Sequence, residues 1–337
     1  MTSILVTGGC GFIGSNFVRY MLRNHPAYTI VNFDKLTYAG NSENLADVDQ
    51  TRTYHFVKGD ICSRSEVQDA MARYHIDAVV NFAAESHVDR SIMGPAAFVE
   101  TNIGGTAVLL DAARESGVER FLQVSTDEVY GSLGPTGKFT ESSPLRPNSP
   151  YAASKASADL LAHAYHKTFG VPVVITRCSN NFGPYQFPEK LIPLMIANAI
   201  DNKPLPVYGD GLYVRDWLYV EDHCSALDAV LHRGGLGEVY NIGGNNEMPN
   251  LEMVKTLLKL LEKPESLISF VKDRPGHDRR YAIDQSRIMS ELGWKPTVAV
   301  DDGLSKTVRW YVEHETWWRR VMSGAYREYY RKMYQER

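Results

Sequence analysis

The sequence predicts an α/β fold: a doubly wound parallel sheet joined to a smaller C-terminal α/β lobe. Three observations lead there. Short apolar runs alternate with helical stretches over residues 1–180, and a glycine-rich turn separates the first run from the first helix. Beyond 180, prolines at 184, 188, 193, 204 and 206 cut the chain into shorter elements. Strands that alternate with helices pair in parallel, with helices on both faces.

Ile4-Leu5-Val6 reads as a buried strand, and residues 12–23 carry Phe17, Val18, Met21 and Leu22 at helical spacing. A strand over 29–33 ends at Asp34, and apolar runs at 54–57, 78–82, 121–124 and 171–176 supply four more. Helical patterning returns over 250–261 and 301–314. The expected organisation is a Rossmann-type dinucleotide-binding domain with catalytic residues at 1–180. Residues 181–337 form mainly a substrate-binding lobe, with some segments returning to the first domain.

With 36 basic and 40 acidic side chains, a net charge of −4 offers no broad footprint for nucleic acid or an anionic membrane. Cys10, Cys62, Cys178 and Cys224 are scattered without metal-site or disulfide spacing, so no metal is expected and a reducing compartment fits. The chain runs into its first strand without a basic leader, and no apolar run approaches a membrane span. A cytoplasmic protein is expected.

Gly8, Gly11 and Gly14 form a G-x-x-G-x-x-G turn between strand and helix, where a phosphate must approach backbone N–H groups closely. Asp34, about twenty residues on at the end of the second strand, can accept both ribose hydroxyls. NAD is therefore favoured; Asp34 would repel a 2′-phosphate, and Lys35 beside it keeps NADP as the lesser alternative. Asp60-Ile61 stands either against adenine or, through Asp60, as a helix N-cap.

Tyr151 and Lys155 are four apart, on one side of a helix that begins after Pro147 and Pro150. An ammonium beside a phenol makes it more acidic, as removal of a hydroxyl proton during hydride transfer requires. Asp127 and Glu128 follow the strand end Ser125-Thr126; two carboxyls in different surroundings can serve as acid and base and so remove water. The plainer reading of that pair is a helix cap. His87 and Asp89 read as an ordering loop, because no nucleophile stands at triad spacing.

Together, residues 7–14, Ser125-Thr126 and Tyr151-x-x-x-Lys155 resemble the extended short-chain dehydrogenase/reductase superfamily. The segments 125–131 and 83–91 are similar to the dTDP-glucose 4,6-dehydratases within it, and the likeness continues through 177–185, 188–193, 205–211, 214–217 and 273–278. The resemblance implies that Tyr151 takes the sugar 4-hydroxyl proton, that Thr126 bonds O4, and that Lys155 lowers the tyrosine pKa and holds the nicotinamide ribose. Glu128 would then remove the C5 proton while Asp127 protonates the departing C6 hydroxyl, giving a 4-keto-6-deoxy sugar nucleotide. NAD contacts are implied for Gly8, Gly11, Phe12, Ile13, Gly14, Asp34, Lys35, Leu36, Thr37, Asp60, Ile61, Phe82, Ala83, Ala84, Ser86, Thr101, Tyr151, Lys155 and Asn181. For the nucleotide-sugar substrate, dTDP-glucose, they are Ser86, Thr126, Asn180, Lys190, Leu191, Pro206, Tyr208, Arg215, Asn250, Arg274, His277 and Tyr281. Arg215 and Arg274 are chemically the best suited to phosphate, being planar forks of donors.

Apolar stripes at Val108, Leu109 and Ala112, and at Leu160, Leu161 and Ala164, are core faces or, as the resemblance implies, a four-helix homodimer interface. The aromatic tail from Trp317 to Tyr330 is expected to pack on the body of the protein.

Overall fold

The computed structural model describes residues 1–48 and 53–323. Strand β1 (Ser3–Thr7) leads into α1 (Phe12–Asn24), followed by β2 (Thr29–Asp34), β3 (Tyr54–Lys58), α2 (Arg64–Arg73) and β4 (Ala78–Asn81). Helices α3 (Val88–Met93) and α4 (Ala96–Phe98) pass through a π-helical stretch at Val99–Gly105 into α5 (Thr106–Ser116). Next come β5 (Arg120–Thr126), α6 (Pro150–Phe169) and β6 (Val173–Cys178). The later chain forms β7 (Asn180–Phe182), α7 (Leu191–Ile200), β8 (Leu205–Tyr208), β9 (Val214–Tyr219) and α8 (Val220–Arg233). It continues through β10 (Val239–Ile242), β11 (Glu247–Pro249), α9 (Asn250–Leu260), β12 (Ile268–Val271), α10 (Ser286–Leu292), α11 (Val300–Glu313) and α12 (Glu315–Val321).

Seven strands make a parallel sheet in the order β10-β6-β5-β4-β1-β2-β3. Successive residues of a strand point to opposite faces, and the packing of β1 follows that rule. Ile4 and Val6 join Phe17, Val18 and Met21 of α1 and Leu227 and Val230 of α8 on one face. Leu5 joins Val67 and Met71 of α2, Leu109 of α5 and Ala162 of α6 on the other. A third core, with Phe182, Ile196, Trp217, Leu257, Leu304 and Tyr311, lies under α7, α9 and α11. Smaller sheets, β11-β9-β7 and β12-β8, complete that region, while β10 pairs with β6 in the large sheet.

Two differences from the sequence pattern bear on the site. Strand β5 runs on to Thr126, two residues past the apolar run, so Ser125 and Thr126 stand at its C-terminal end. Strand β6 begins only after Pro172, which has no N–H to give the ladder. Helix α6 has a well-defined start: Ser149 Oγ accepts the Ala152 N–H at 3.1 Å, Pro150 occupies the first turn, and Gly170 ends the helix in the left-handed region. Those caps fix Tyr151 in the first turn and Lys155 one turn on. Trp317 and Trp318 are buried, their indole N–H groups donating to Asn44 Oδ1 and the Tyr311 carbonyl; the tail from residue 324 on lies outside the described residues. Among the described residues no helix is long and apolar enough to cross a membrane.

Candidate active site

Strand order reverses at β1, with β2 on one side and β4 on the other, and such a reversal opens a crevice at the carboxyl ends of the strands. The glycine turn fills that point. Gly8 has φ +69°, and a Cβ there would lie 2.7 Å from the Ala83 nitrogen; at Gly14 it would meet the Gly8 carbonyl oxygen at 2.3 Å. Gly8→Ala is expected to lose about 1–3 kcal/mol of stability, read as a lower Tm.

Helix α1 starts at Gly11 without a side-chain cap, and Phe12 and Ile13 form part of the cavity wall, so unclaimed first-turn N–H groups are available to a pyrophosphate. Asp34 is buried; its Oδ2 accepts the Cys10 N–H at 2.8 Å and its Oδ1 the Leu36 N–H at 2.7 Å. Each oxygen keeps a second lone pair for a ribose hydroxyl. Lys35 pairs with Asp60 at 2.6 Å, which removes much of its attraction for a 2′-phosphate. Asp60 is not a helix cap: its Oδ1 accepts the Cys62 N–H, and Ser63 holds the N-cap position of α2.

The acids that follow β5 sit in a single 3₁₀ turn, Asp127–Tyr130, and the cap of that turn is Thr126, whose Oγ1 accepts the Glu128 N–H at 3.3 Å. Neither carboxyl is consumed in capping. Asp127 is 2% exposed, and burial, then the nearby Glu128 and Asp216, push its pKa well above the usual carboxylate range. Its Oδ2 has no hydrogen-bond partner among the described residues. Burial also raises Glu128, but Arg274, Lys190 and Arg215 all pull it back toward ionisation. Adjacent carboxyls thus differ in charge preference, Asp127 toward the neutral acid and Glu128 toward the base.

Tyr151 behaves differently from the expectation. Burial first, then the Glu128 charge, hold its phenol well above its ordinary pKa, while the Thr126 hydroxyl works the other way. Lys155 Nζ donates to the Val124 carbonyl at 2.7 Å, and burial lowers its own pKa.

Beyond Glu128 the cleft is cationic. Arg215, 5% exposed, donates to the Val214 and Asp278 carbonyls and lies 4.4 Å over the Tyr281 ring. Arg274 Nη1 stands 3.7 Å from Asp89 Oδ1, and its Nε is buried without a hydrogen-bond partner among the described residues. Tyr208 donates to Asp89 Oδ2 at 3.2 Å, so Asp89 orders two expected substrate residues. His277 stacks on Tyr213 at 3.7 Å, and burial, helped by Arg274, lowers its pKa to about 3.

A glycine-turn cofactor cleft, a Tyr-Lys helix and a split carboxyl pair are what a nucleotide-sugar dehydratase needs. Residues 5–307 match the family model for GDP-mannose 4,6 dehydratase. The dTDP-glucose 4,6-dehydratase of Neisseria meningitidis is 54% identical over 97% of this chain and 98% of its own length. The chain belongs to the dTDP-glucose 4,6-dehydratase family. Solved structures agree. The Bacillus anthracis enzyme in complex with NAD is 52% identical with a TM-score of 0.90, covering 95% of this chain and 100% of that one. The Streptomyces venezuelae enzyme with NAD and TYD bound is 52% identical with a TM-score of 0.93 and the same coverage.

Most of the residues expected of this family line one cavity of about 310 Å³. Its wall holds Gly8, Gly11, Phe12, Ile13, Gly14, Asp34, Lys35, Thr37, Asp60, Ile61, Phe82, Ala83, Ala84, Ser86 and Thr101. Thr126, Asp127, Glu128, Tyr151, Lys155, Asn180, Asn181 and Lys190 complete it. Leu36, Leu191, Pro206, Tyr208, Arg215, Asn250, Arg274, His277 and Tyr281 stand off that wall. Arg215 and Arg274 are tied to it through the charge of Glu128.

Sequence reasoning missed Ser179, Gln186, Phe187 and Glu189 as wall residues. It also missed Asp278, which accepts from Asn148 Nδ2 and the Tyr281 hydroxyl. Glu189 and Asp278 lay inside motifs already singled out, and the packing that turns them inward has no local signature. The absence of metal-ligand spacing likewise did not foretell that His25, Asp228 and His232 gather where α1 and α8 end. They hydrogen-bond to one another, and none lines the cavity.

Proposed function

We propose that the protein dehydrates dTDP-glucose to dTDP-4-keto-6-deoxyglucose, with NAD retained from one turnover to the next, a step of deoxysugar nucleotide biosynthesis. The observation that carries this reading is the unequal electrostatic setting of Asp127 and Glu128 beside Tyr151, both raised by burial but Glu128 alone countered by three cations. NAD, for which the Gly8-Gly11-Gly14 turn, Asp34 and Lys155 supply the contacts, accepts hydride from sugar C4 and later gives it to C6.

Tyr151 takes the 4-hydroxyl proton as its phenolate, a form that the Lys155 ammonium and the positive charge of bound NAD would favour against the burial that opposes it, and Thr126 holds the oxygen. A carbonyl at C4 acidifies C5, because the carbanion formed there is delocalised into it. Glu128, favoured as the ionised partner, takes that proton; Asp127, favoured as the neutral one, protonates the C6 hydroxyl, which leaves as water, and Glu128 returns its proton to C5 when hydride reaches C6 of the resulting alkene. Arg215, Arg274 and Lys190 hold the diphosphate and keep Glu128 ionised.

Residues 1–180 serve as the NAD-binding unit with the catalytic residues, and 181–337 mainly as the sugar-nucleotide lobe, with β10 returning to the large sheet. The free thiols of all four cysteines suit the cytoplasm. The partner is a second copy of the chain. Leu109 and Ala112 are buried in the protomer, whereas Leu160 is 60% exposed on α6 and Ala164, one turn on, is exposed beside it, a face suited to such pairing. Leu160→Glu is expected to convert a dimer to a monomer in sedimentation analysis.

The deciding experiment incubates purified protein with dTDP-glucose and, separately, UDP-glucose, without added NAD. Loss of one water from the thymidine nucleotide, seen by mass spectrometry, is the expected result. A product of unchanged mass would mean epimerisation and end this reading.

A further inference from the structure

The two rims of the cofactor cleft are joined by a buried cluster that the reaction steps leave unused. One rim is the loop after β2, which contributes Thr37, Ala39 and Gly40 to the cavity wall; the other is the segment before α7, which contributes Phe187, Glu189 and Lys190. Tyr38 reaches across. Its hydroxyl donates to Glu189 Oε1 at 3.1 Å, and its ring meets Phe187 edge-on with centroids 5.6 Å apart. Arg90 of α3 covers the same ring at 3.9 Å and donates its Nε to Glu189 Oε2 at 3.3 Å. Both oxygens of a carboxylate whose side chain is 1% exposed are therefore engaged, one from each neighbour.

We propose that Tyr38 and Arg90, clasped on Glu189, are positioning residues that keep NAD from leaving in mid-cycle. The inference rests on the dehydratase reading, in which the sugar is oxidised before water departs and reduced afterwards. Loss of the cofactor between those events would strand an oxidised sugar. Retention therefore has to be built into the cleft, and the Tyr38 bridge ends on a carboxylate that is itself shielded from solvent. The Lys35–Asp60 pair, which also ties cofactor-binding segments, involves a lysine side chain that is 57% exposed, so solvent screens it. A hydrogen bond to a shielded carboxylate is the stronger closure.

The test uses untagged holoenzyme and labelled NAD, with no sugar present. Tyr38→Phe, which keeps the ring and removes only the hydroxyl, is expected to exchange bound NAD about tenfold faster than the parent, the effect of losing one hydrogen bond to a charged acceptor. It should lose cofactor on gel filtration and recover kcat when NAD is added, with KM for dTDP-glucose unchanged. Arg90→Lys should exchange faster too. Exchange at the parental rate in both variants, with Tm in saturating NAD confirming the fold, would overturn the proposal. Because exchange is read without turnover, a protein that holds NAD through Tyr38 yet forms no dehydrated product would fail as a dehydratase and keep its clasp.

Discussion

Tyr151→Phe is expected to lower kcat by about 10²–10⁴-fold, the usual worth of a positioned acid–base group, with no reduced-nicotinamide absorbance developing in stopped-flow. The ring would still fill its place: Tyr151 is buried in a small cluster with Val88 and Phe98, its ring set edge-on to Phe98 at 6.4 Å. Only the hydroxyl is removed, so folding and nucleotide binding should survive. The loss should fall on kcat rather than on KM. A second proton acceptor for the 4-hydroxyl would reveal itself as substantial residual oxidation. Thr126 is close enough to bond the phenol, but a neutral hydroxyl cannot replace a base.

The carboxyl pair should show the complementary signature. Asp127→Asn and Glu128→Gln are each expected to slow formation of the dehydrated product by about 10²–10⁴-fold. C4 oxidation should continue, so that reduced nicotinamide accumulates and decays slowly. The two residues then separate by pH. Glu128 must be ionised to act as base, and its raised pKa means activity falls, as pH is lowered, at a higher pH than an ordinary glutamate would dictate. Asp127 must be protonated to act as acid, so its function is lost as pH rises through a pKa that burial has pushed well up. A kcat profile that keeps its acid limb unchanged in Glu128→Gln would remove Glu128 from the base role.

Much of the molecule was legible along the chain because its signals are local. The glycine spacing at 8, 11 and 14, the carboxylate ending β2 and the Tyr151–Lys155 interval are each contained within one turn or one strand end. The alternation of Ile4, Leu5 and Val6 between two cores is likewise written in a period of two. What went unread depended on contacts between distant segments. Nothing near Tyr38 in the chain announces Glu189, and nothing near Trp317 announces Asn44 as the acceptor for its indole. The proton affinity of Tyr151 depends on the same kind of contact: Lys155 is visible four residues on, whereas the burial and the Glu128 charge that raise the phenol are not.

By itself the sequence determined the fold class, the cofactor turn and the identity of the groups able to carry protons, since these follow from residue type and short-range spacing. Only the tertiary structure shows why two adjacent carboxyls differ in proton affinity. Asp127 and Glu128 share a turn and nearly the same chemistry. The fold sets Asp216 near the first, Arg274 and Lys190 near the second, and Arg215 within reach of both. Electrostatic energy depends on distance in space and on exclusion of water, and neither is a property of neighbours along the chain.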